Sequence, residues 1–228
     1  MELPDILLID KPSGMTSFDV IRFLRKATGV CKFGHAGTLD PLASGLMILG
    51  VEAGTKKLAE LIKLDKEYVA EVRLGEERTT DDLEGAIVRE ADVQEIDQAV
   101  LKDAVAQMVG SHELPVSAYS AIKQQGTPLY KKARAAERAG TTLDELPMRT
   151  MVVYEAELQG AHTLVLEGKH RFVATIRFKV ASGVYIRSLA RELGRLLQVP
   201  ATLQALRRTK IGSYAIEEAK PLSVFTHE

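Results

Sequence analysis

The stretch around which this chain is organised reads Gly34-His35-Ala36-Gly37-Thr38-Leu39-Asp40-Pro41-Leu42-Ala43-Ser44-Gly45. Its glycines allow backbone angles and close approaches that a side chain forbids. Asp40 is its only acidic residue, and Pro41 fixes its own φ and disfavours helical angles at Asp40. A carboxylate on such a stiff, irregular loop can be presented to a substrate. Taken alone, the Asp-Pro pair favours a different interpretation, a helix N-cap with proline at the first helical position.

Length and composition indicate an ordinary globular protein. The 228 residues are 46% hydrophobic and 27% charged, with a net charge of −1. No apolar run approaches the 20 residues of a membrane span, and the acidic N-terminus does not resemble a signal peptide. Cys31 is the only cysteine, which excludes an internal disulfide and any multi-cysteine zinc site. We therefore expect a cytoplasmic protein without a metal ion.

The positive charge is concentrated in two segments. Residues 123–138 hold five basic residues against Glu137, a net of +4, and residues 187–210 hold six against Glu192, a net of +5. Such segments fit a surface that faces a polyanion, and they fit ordinary solvated helix faces equally well.

Hydrophobic periodicity predicts alternating strands and helices. The predicted strands cover 5–9, 46–51, 68–74, 148–158, 163–166, 171–180 and 203–211. The predicted helices cover 17–27 (capped by Thr16 or Ser17), 54–64, 93–109, 128–139 and a segment from Ile186 to Leu197. Residues 75–85 are predicted to be a polar surface loop. Because this order is not a strict βαβ repeat, we expect an α+β fold with a mixed, mainly antiparallel sheet flanked by helices.

Five blocks of this sequence resemble, in order and spacing, the motifs of the TruB family of pseudouridine synthases. The resemblance extends over roughly residues 5–215. The blocks are Lys11-Pro12-Ser13-Gly14-Met15-Thr16-Ser17, Gly34-His35-Ala36-Gly37-Thr38-Leu39-Asp40-Pro41, Lys66-Glu67-Tyr68 with Leu74-Gly75 to Gly85, Tyr185-Ile186-Arg187-Ser188-Leu189-Ala190, and Leu206-Arg207-Arg208-Thr209. A single motif would be suggestive, whereas five in order reverse the initial preference for a helix cap at Asp40.

The sequence departs from the family pattern at three positions and at its end. Arg78 and Val184 stand where the family usually has threonine, and Leu114 replaces the first residue of a Pro-Pro pair. The acid and its expected partners are retained. The resemblance implies one pseudouridine synthase catalytic domain over 1–228, without the separate C-terminal RNA-binding module of most bacterial relatives.

The resemblance implies a reaction that needs no cofactor. The family converts uridine 55 in the tRNA T-loop to pseudouridine by breaking the glycosidic bond, turning the base and joining C5 to C1′. Asp40 is then the essential acid, which attacks the sugar or removes a ribose proton. Arg187 is its expected charge partner and Tyr68 the ring that stacks on the base. For each of these two residues the structural alternative is an ordinary solvated arginine or a half-buried strand tyrosine.

The remaining site residues are expected to bind the RNA. His35 resembles the residue that fills the stack vacated by the flipped uridine, although a loop histidine bonded to backbone is locally the simpler reading. Leu206 is an expected pocket wall, and Lys11 lies with Pro12 beneath the catalytic loop. The expected substrate-binding residues are therefore His35, Leu206, Lys11, Lys123, Lys131, Lys132 and Arg207. The expected partner is the T-arm of tRNA, bound by a monomer without guide RNA or membrane.

Three alternatives stay open from sequence alone. A guide-RNA-dependent relative usually carries an extra C-terminal domain, for which this chain is short. A non-catalytic RNA-binding protein would need T-arm affinity but not Asp40. A glycoside hydrolase needs a second carboxylate, and none accompanies Asp40 in its motif.

Overall fold

The computed structural model describes residues 3–141, 143 and 145–226. Its helices are α1 (Ser17–Thr28), α2 (Leu58–Leu61), α3 (Gln98–Gln107), α4 (Leu129–Arg138) and α5 (Ile186–Leu197). Its strands are β1 (Ile6–Lys11), β2 (Phe33–His35), β3 (Ser44–Val51), β4 (Lys66–Leu74), β5 (Glu76–Arg78), β6 (Ile87–Glu90), β7 (Gly110–Pro115), β8 (Lys123–Gln124), β9 (Thr127–Pro128), β10 (Met148–Leu166), β11 (Lys169–Val180), β12 (Ala201–Ile211), β13 (Tyr214–Ala215) and β14 (Lys220–Pro221). Short 3₁₀ turns cover Glu52–Lys57, Ile216–Glu218 and Leu222–Phe225.

The chain forms two compact units. The described residues of the first unit are 3–70, 177–182 and 205–226, and those of the second lie within 71–176 and 183–204. The unit boundaries fall inside β4, β11 and β12, so that each of these strands contributes residues to both units.

The first unit is built on a mixed sheet. β1 and β3 pair antiparallel, from Ile6 opposite Gly50 to Lys11 opposite Gly45. β2 also pairs antiparallel with β3, whereas β12 pairs parallel with β3 and β14 parallel with β1. β3 is buried almost throughout, as expected of a strand with apolar side chains on both faces. Its apolar contacts belong to a core cluster made of Ala36, Leu46, Ile48, Leu58 and Ile211.

Helix α1 follows its sequence signals closely. The side chain of Thr16 accepts a hydrogen bond from the amide of Asp19, and the carboxylate of Asp19 accepts one from the amide of Thr16, which completes a capping box. The helix buries Val20 and its apolar neighbours on one face. It ends at Gly29, whose φ of 74° is the left-handed conformation typical of a C-terminal glycine.

The second unit packs α3 and α5 with β7 and β10. β7 pairs antiparallel with β10, with Pro115 opposite Met148 and Gly110 opposite Val153. α3 is capped by the side chain of Asp97, which accepts from the amides of the first turn. α5 is strongly amphipathic because its buried face carries apolar side chains, including Leu189, and its other face carries charged ones.

The expected fold class is confirmed, and four local predictions are corrected. The helix predicted over 93–109 covers only Gln98–Gln107, because Asp97 caps its first turn. Residues 54–64 form a 3₁₀ turn and then the short α2, rather than one helix. The two strands predicted within 148–166 are the single strand β10, since Gly160 continues in extended backbone. β2 was not predicted. The predicted surface loop at 75–85 is partly buried: Glu76, Thr80, Asp81 and Asp82 are each less than 9% exposed.

Candidate active site

Asp40 lies in the first unit, on the connection from β2 to β3. Its carbonyl oxygen accepts a hydrogen bond from the amide of Ala43 at 3.1 Å, which closes a four-residue turn with Pro41 in the second position. Proline is common at that position of a β-turn, and it is also common in the first turn of a helix. The chain then enters β3 at Ser44, so a turn stands where the Asp-Pro pair taken alone favours a helix N-cap. The Asp40 side chain is half-buried.

The turn that follows β1 forms hydrogen bonds with main-chain carbonyls of this loop. The amide of Gly14 donates to the carbonyl of Pro41 at 2.8 Å, and the hydroxyl of Ser13 donates to the carbonyl of Leu42 at 2.8 Å. Lys11 is 0% exposed. Its ammonium donates to the carbonyls of Met15 (2.5 Å), Pro12 (2.9 Å) and Pro41 (3.4 Å). Lys11 therefore holds the carbonyl of Pro41, directly after Asp40, together with the two carbonyls of the turn that follows β1.

The first turn of α1 fixes the residue before Asp40. The hydroxyl of Ser17 accepts from the amide of Leu39 at 2.9 Å and donates to the Leu39 carbonyl at 3.1 Å. Both residues are buried, so these bonds are shielded from competition with water. Ser17 belongs to the first of the five sequence blocks, but the sequence analysis did not predict its contact with Leu39.

Arg208 holds the loop from the β12 side. Its guanidinium is buried and donates to the carbonyls of Leu46 (2.8 Å), Gly37 (3.1 Å) and Thr38 (3.5 Å). β12 approaches β3 so closely that a Cβ on Gly45 would lie 2.3 Å from the carbonyl oxygen of Arg208. Gly45 also has φ of 104°, which explains why the loop must end in glycine.

The other predicted residues of the first unit lie on its strands. Tyr68 on β4 and Leu206 on β12 are 8% and 9% exposed. His35 is the last residue of β2. Burial, and then the charge of Arg208, lower the pKa of His35 below its ordinary value, although a backbone bond at Gly37 opposes them. The lowered pKa favours the neutral imidazole.

Arg207 is occupied by an ion pair. Its guanidinium donates to the carboxylate of Asp10 at 2.7 and 3.1 Å and to the hydroxyl of Ser44 at 3.4 Å. Its side chain is still 43% exposed, so it can also face solvent or a ligand.

In the second unit, Arg187 is buried at the start of α5. It donates to the carbonyl of Thr80 (3.0 Å), the hydroxyl of Ser117 (3.2 Å) and the carbonyl of Tyr119 (3.3 Å). Its guanidinium also lies 3.4 Å from the carboxylate of Asp82. These contacts exclude the solvated-arginine interpretation of this residue.

Asp82 is a buried partner of Arg187 that the sequence analysis did not single out. Its carboxylate is buried and accepts from the hydroxyl of Thr80 at 2.5 Å and the amide of Glu84 at 3.1 Å. The sequence signal that could have identified Asp82 is its position in the third block, to which no other role was assigned. Beside it, burial raises the pKa of Asp81, and the nearby Arg191, 3.4 Å away, only partly offsets that effect.

The departure at Arg78 has a structural partner. Arg78 pairs with the buried Glu76 and donates to the carbonyls of Gly85 (2.8 Å) and Leu83 (3.2 Å). Burial opposes ionisation of Glu76, but its bond to Arg78 and the charges of Arg78 and Arg73 outweigh burial and lower its pKa. Arg78 therefore ties both ends of segment 76–85 together.

The predicted lysines lie at the edge of the second unit. Lys123 and Lys131 are exposed, and the ammonium of Lys132 donates to the side-chain oxygen of Gln124 at 3.1 Å. The basic segment 187–210 is different, because its arginines are largely paired within the protein: Arg191 with Asp81, Arg195 with Glu192 and Arg207 with Asp10.

The predicted site residues divide between the units. Asp40, Tyr68, His35, Leu206, Lys11 and Arg207 belong to the first, and Arg187, Lys123, Lys131 and Lys132 to the second. The pairing of Asp40 with Arg187 stays a prediction. Across the described ranges, no three His, Cys, Asp or Glu side chains are grouped so that they could hold a metal ion. Within those same ranges, no helix is long and apolar enough to cross a membrane.

A family model described as "TruB family pseudouridylate synthase (N terminal domain)" matches residues 25–186. The chain belongs to the TruB family of pseudouridylate synthases. A curated relative of this TruB-family chain, tRNA pseudouridine synthase B of Corynebacterium efficiens, is 42% identical over 221 residues, covering 96% of this chain and 70% of the relative. The protein of the same name from Leifsonia xyli subsp. xyli is 40% identical over 223 residues, covering 96% of this chain and 70% of the relative.

Two solved structures share the fold of this TruB-family chain. One is an H/ACA ribonucleoprotein bound to a substrate RNA containing 2′-deoxyuridine, with a TM-score of 0.65 and 26% identity, covering 96% of this chain and 51% of that one. The other is an archaeal box H/ACA small ribonucleoprotein complex, with a TM-score of 0.64 and 25% identity, covering 96% of this chain and 52% of that one. This chain therefore spans about half the length of those proteins.

Proposed function

We propose that this protein is a tRNA pseudouridine synthase that isomerises uridine 55 in the T-loop. Family membership and relatives named tRNA pseudouridine synthase B support the reaction class. The observation that supports Asp40 as the reacting acid is the anchoring of its turn. Lys11 and Ser17 hold the turn on one side, and Arg208 holds it on the other. This rigidity suits an acid that must meet a ribose with little reorganisation.

The proposed reaction breaks the bond from N1 of uracil to C1′ of the ribose and forms a bond from C5 to C1′. The proton on C5 is lost and N1 gains one, so the product is an isomer of the substrate and no electron acceptor is required. Asp40 assists the first step as a carboxylate, by attacking the sugar or by removing a ribose proton.

Arg187 is the proposed source of positive charge for the Asp40 carboxylate. Asp82 is proposed to fix the orientation of the Arg187 guanidinium. A guanidinium held by three hydrogen bonds and one carboxylate cannot rotate freely, so its direction is fixed before substrate arrives. Tyr68 supplies the proposed stacking surface for uracil, and its hydroxyl is a candidate to move the C5 proton late in the reaction.

The uridine of a folded T-loop has to be extruded before reaction, at a cost of a few kcal/mol. His35 is proposed to fill the vacated stack as a neutral ring, in keeping with its lowered pKa. Leu206 forms the apolar wall of the base pocket. Lys11, being buried, contributes by supporting the loop. Lys123, Lys131, Lys132 and Arg207 are the proposed phosphate contacts, and the T-arm is the proposed partner of a cytoplasmic monomer.

The test is incubation with an unmodified tRNA, followed by mapping of pseudouridine by position. We expect modification at position 55, and none in a tRNA whose T-loop is changed. Asp40→Asn should lower the rate by about 10²–10⁴-fold or abolish it while RNA binding survives. Asp103→Asn, an exposed acid on α3, is the matched control. An active Asp40→Asn variant contradicts the proposed mechanism, and Tyr68→Phe separates stacking from proton movement because it keeps the ring.

A guide-RNA-dependent enzyme is the second candidate, and the likeness to H/ACA proteins favours considering it. The two functions differ in one measurement. Turnover of an isolated T-arm stem-loop by the protein alone supports the first, whereas turnover only after a guide RNA is added supports the second.

A further inference from the structure

The outer face of helix α1 combines an exposed aromatic ring with three basic side chains. Phe18, in the first turn of the helix, is 56% exposed. The guanidinium carbons of Arg22 and Arg25 lie 5.4 and 6.0 Å from the centre of its ring. Lys26 is exposed on the next turn of the same face. We call Phe18, Arg22, Arg25 and Lys26 the α1 outer face.

The spacing of these residues makes one stripe. Positions i, i+4, i+7 and i+8 lie on one side of a helix, opposite the stripe of Val20, Ile21 and Leu24 that packs on the first unit. None of the four residues of the α1 outer face is needed to build the core. The face also lies outside the two basic segments that the charge pattern of the sequence singled out.

The charge of this face is only partly compensated. Arg22 pairs with Asp19, yet its side chain remains 66% exposed. Arg25 and Lys26 have no ion pair within the described ranges 3–141, 143 and 145–226. Residues 17–32 as a whole carry four basic side chains against Asp19, a net of +3. Proteins that bind single-stranded nucleic acid combine an aromatic ring for base stacking with arginine and other basic side chains that contact phosphates.

Helix α1, which carries this outer face, is hydrogen-bonded to the Asp40 loop within the first unit. Ser17, the residue before Phe18, accepts a hydrogen bond from the amide of Leu39 at 2.9 Å, and Leu39 precedes Asp40. Phe18 is therefore one residue along the chain from the side chain that anchors the Asp40 loop.

We propose that the α1 outer face is a second RNA-binding surface, on which Phe18 stacks an unpaired nucleotide and Arg22, Arg25 and Lys26 contact adjoining phosphates. The occupant is the substrate RNA, beyond the nucleotide that reacts, and this assignment rests on the proposed function. The arginines contribute twice, because a guanidinium that stacks on a ring still directs N–H groups outward to phosphate oxygens.

The test measures RNA affinity and turnover separately on the full chain. Unmodified tRNA is titrated at several salt concentrations with wild type, Phe18→Ala and the double variant Arg22→Gln/Arg25→Gln. We expect Phe18→Ala to weaken binding about fivefold or more, the lower range of base stacking. The double variant should lower the slope of log K against log salt by about 1.4–1.8. The loss should appear in KM rather than in the rate at saturating tRNA.

Matched controls sit on the same unit. Ile62→Ala removes another exposed apolar side chain, and Lys56→Gln/Lys63→Gln removes two exposed charges far along the sequence from α1. Thermal unfolding of each variant reports whether it is folded. If the α1 variants bind tRNA like wild type, or lose no more affinity than their controls, the proposal is overturned.

The outcomes also separate this proposal from the proposed function. A wild type that forms pseudouridine together with unaffected α1 variants retains the function and rejects the surface. A wild type that binds RNA through the α1 outer face but modifies no uridine retains the surface and rejects the function. A wild type that binds no RNA rejects both.

Discussion

The buried guanidinium of Arg208 donates to the carbonyl oxygen of Gly37 at 3.1 Å, three residues before the acid that we propose as the catalytic group. The same side chain reaches Leu46 and Thr38. A planar donor that bonds three carbonyls at once fixes the loop in a way that a single ammonium cannot reproduce.

We therefore expect Arg208→Lys to lower kcat by about 10–100-fold, because small misplacement of a catalytic group is costly. Arg207→Lys changes the adjacent, partly exposed arginine and should act mainly on KM. Steady-state kinetics on unmodified tRNA distinguishes the two effects. An Arg208→Lys enzyme with wild-type kcat would show that the loop keeps its position without the guanidinium.

Gly45 gives a prediction about stability. A methyl group there meets the main chain of Arg208 at 2.3 Å while the backbone has φ of 104°. Gly45→Ala should destabilise the protein by more than about 3 kcal/mol, in the range of severe packing defects. Gly29→Ala is the control, since Gly29 has φ of 74° and no atom within 4 Å of the added methyl group. It should cost about 1–2 kcal/mol, the strain of left-handed backbone alone. Urea unfolding measures both, and equal costs would refute the steric explanation.

The pKa of His35 predicts a dependence of stability on pH. Burial lowers that pKa below 6.5, so between 6.5 and the lowered value the unfolded chain binds more protons than the folded one. The contribution of His35 to the free energy of unfolding is therefore fully present above pH 6.5 and decreases as the pH falls through that window. His35→Gln should reduce the loss of unfolding free energy between pH 7.5 and pH 5.5. His162→Gln, at an exposed position, should leave that loss as in wild type, and an identical pH dependence for all three proteins would contradict the assignment.

The two basic segments should differ in their contribution to RNA binding. Lys131 is exposed, whereas Arg195 already holds both oxygens of Glu192 at 2.8 and 2.7 Å. Replacing Lys131 by Gln should lower the salt slope of tRNA binding by about 0.7–0.9, the value for one phosphate contact. Arg195→Gln removes the same charge and should change the slope less. Binding titrations at four salt concentrations are sufficient, and equal slopes for the two variants would argue against this difference.

Features governed by local chemistry were predictable from the sequence. The capped start of α1 at Thr16 and the alternating burial of β4 follow from capping residues and a period of two. The mixed sheet followed from the order of elements. In the first two cases neighbours in sequence decide the structure.

Two departures from the local patterns share a physical cause, which is that residues distant in sequence decided them. Segment 75–85 has the composition of a surface loop, but Arg78 and Arg187 provide partners that let its acids be buried. At Asp40, Asp-Pro is equally compatible with a helix start and a β-turn, and contacts with Gly14 and Arg208 select the turn. A net charge along a segment likewise does not reveal which arginines are paired.

The anchors of the Asp40 loop bind carbonyl and amide groups rather than side chains. The main chains of Leu42, Leu39 and Gly37 form hydrogen bonds with Ser13, Ser17 and Arg208, through carbonyl and amide groups that every amino acid except proline possesses. Random mutagenesis should therefore find the anchored loop positions without a buried side chain, such as Thr38, permissive. The anchoring positions themselves should be intolerant. Directed evolution toward another nucleoside can thus rewrite the chemistry lining this loop without moving its acid.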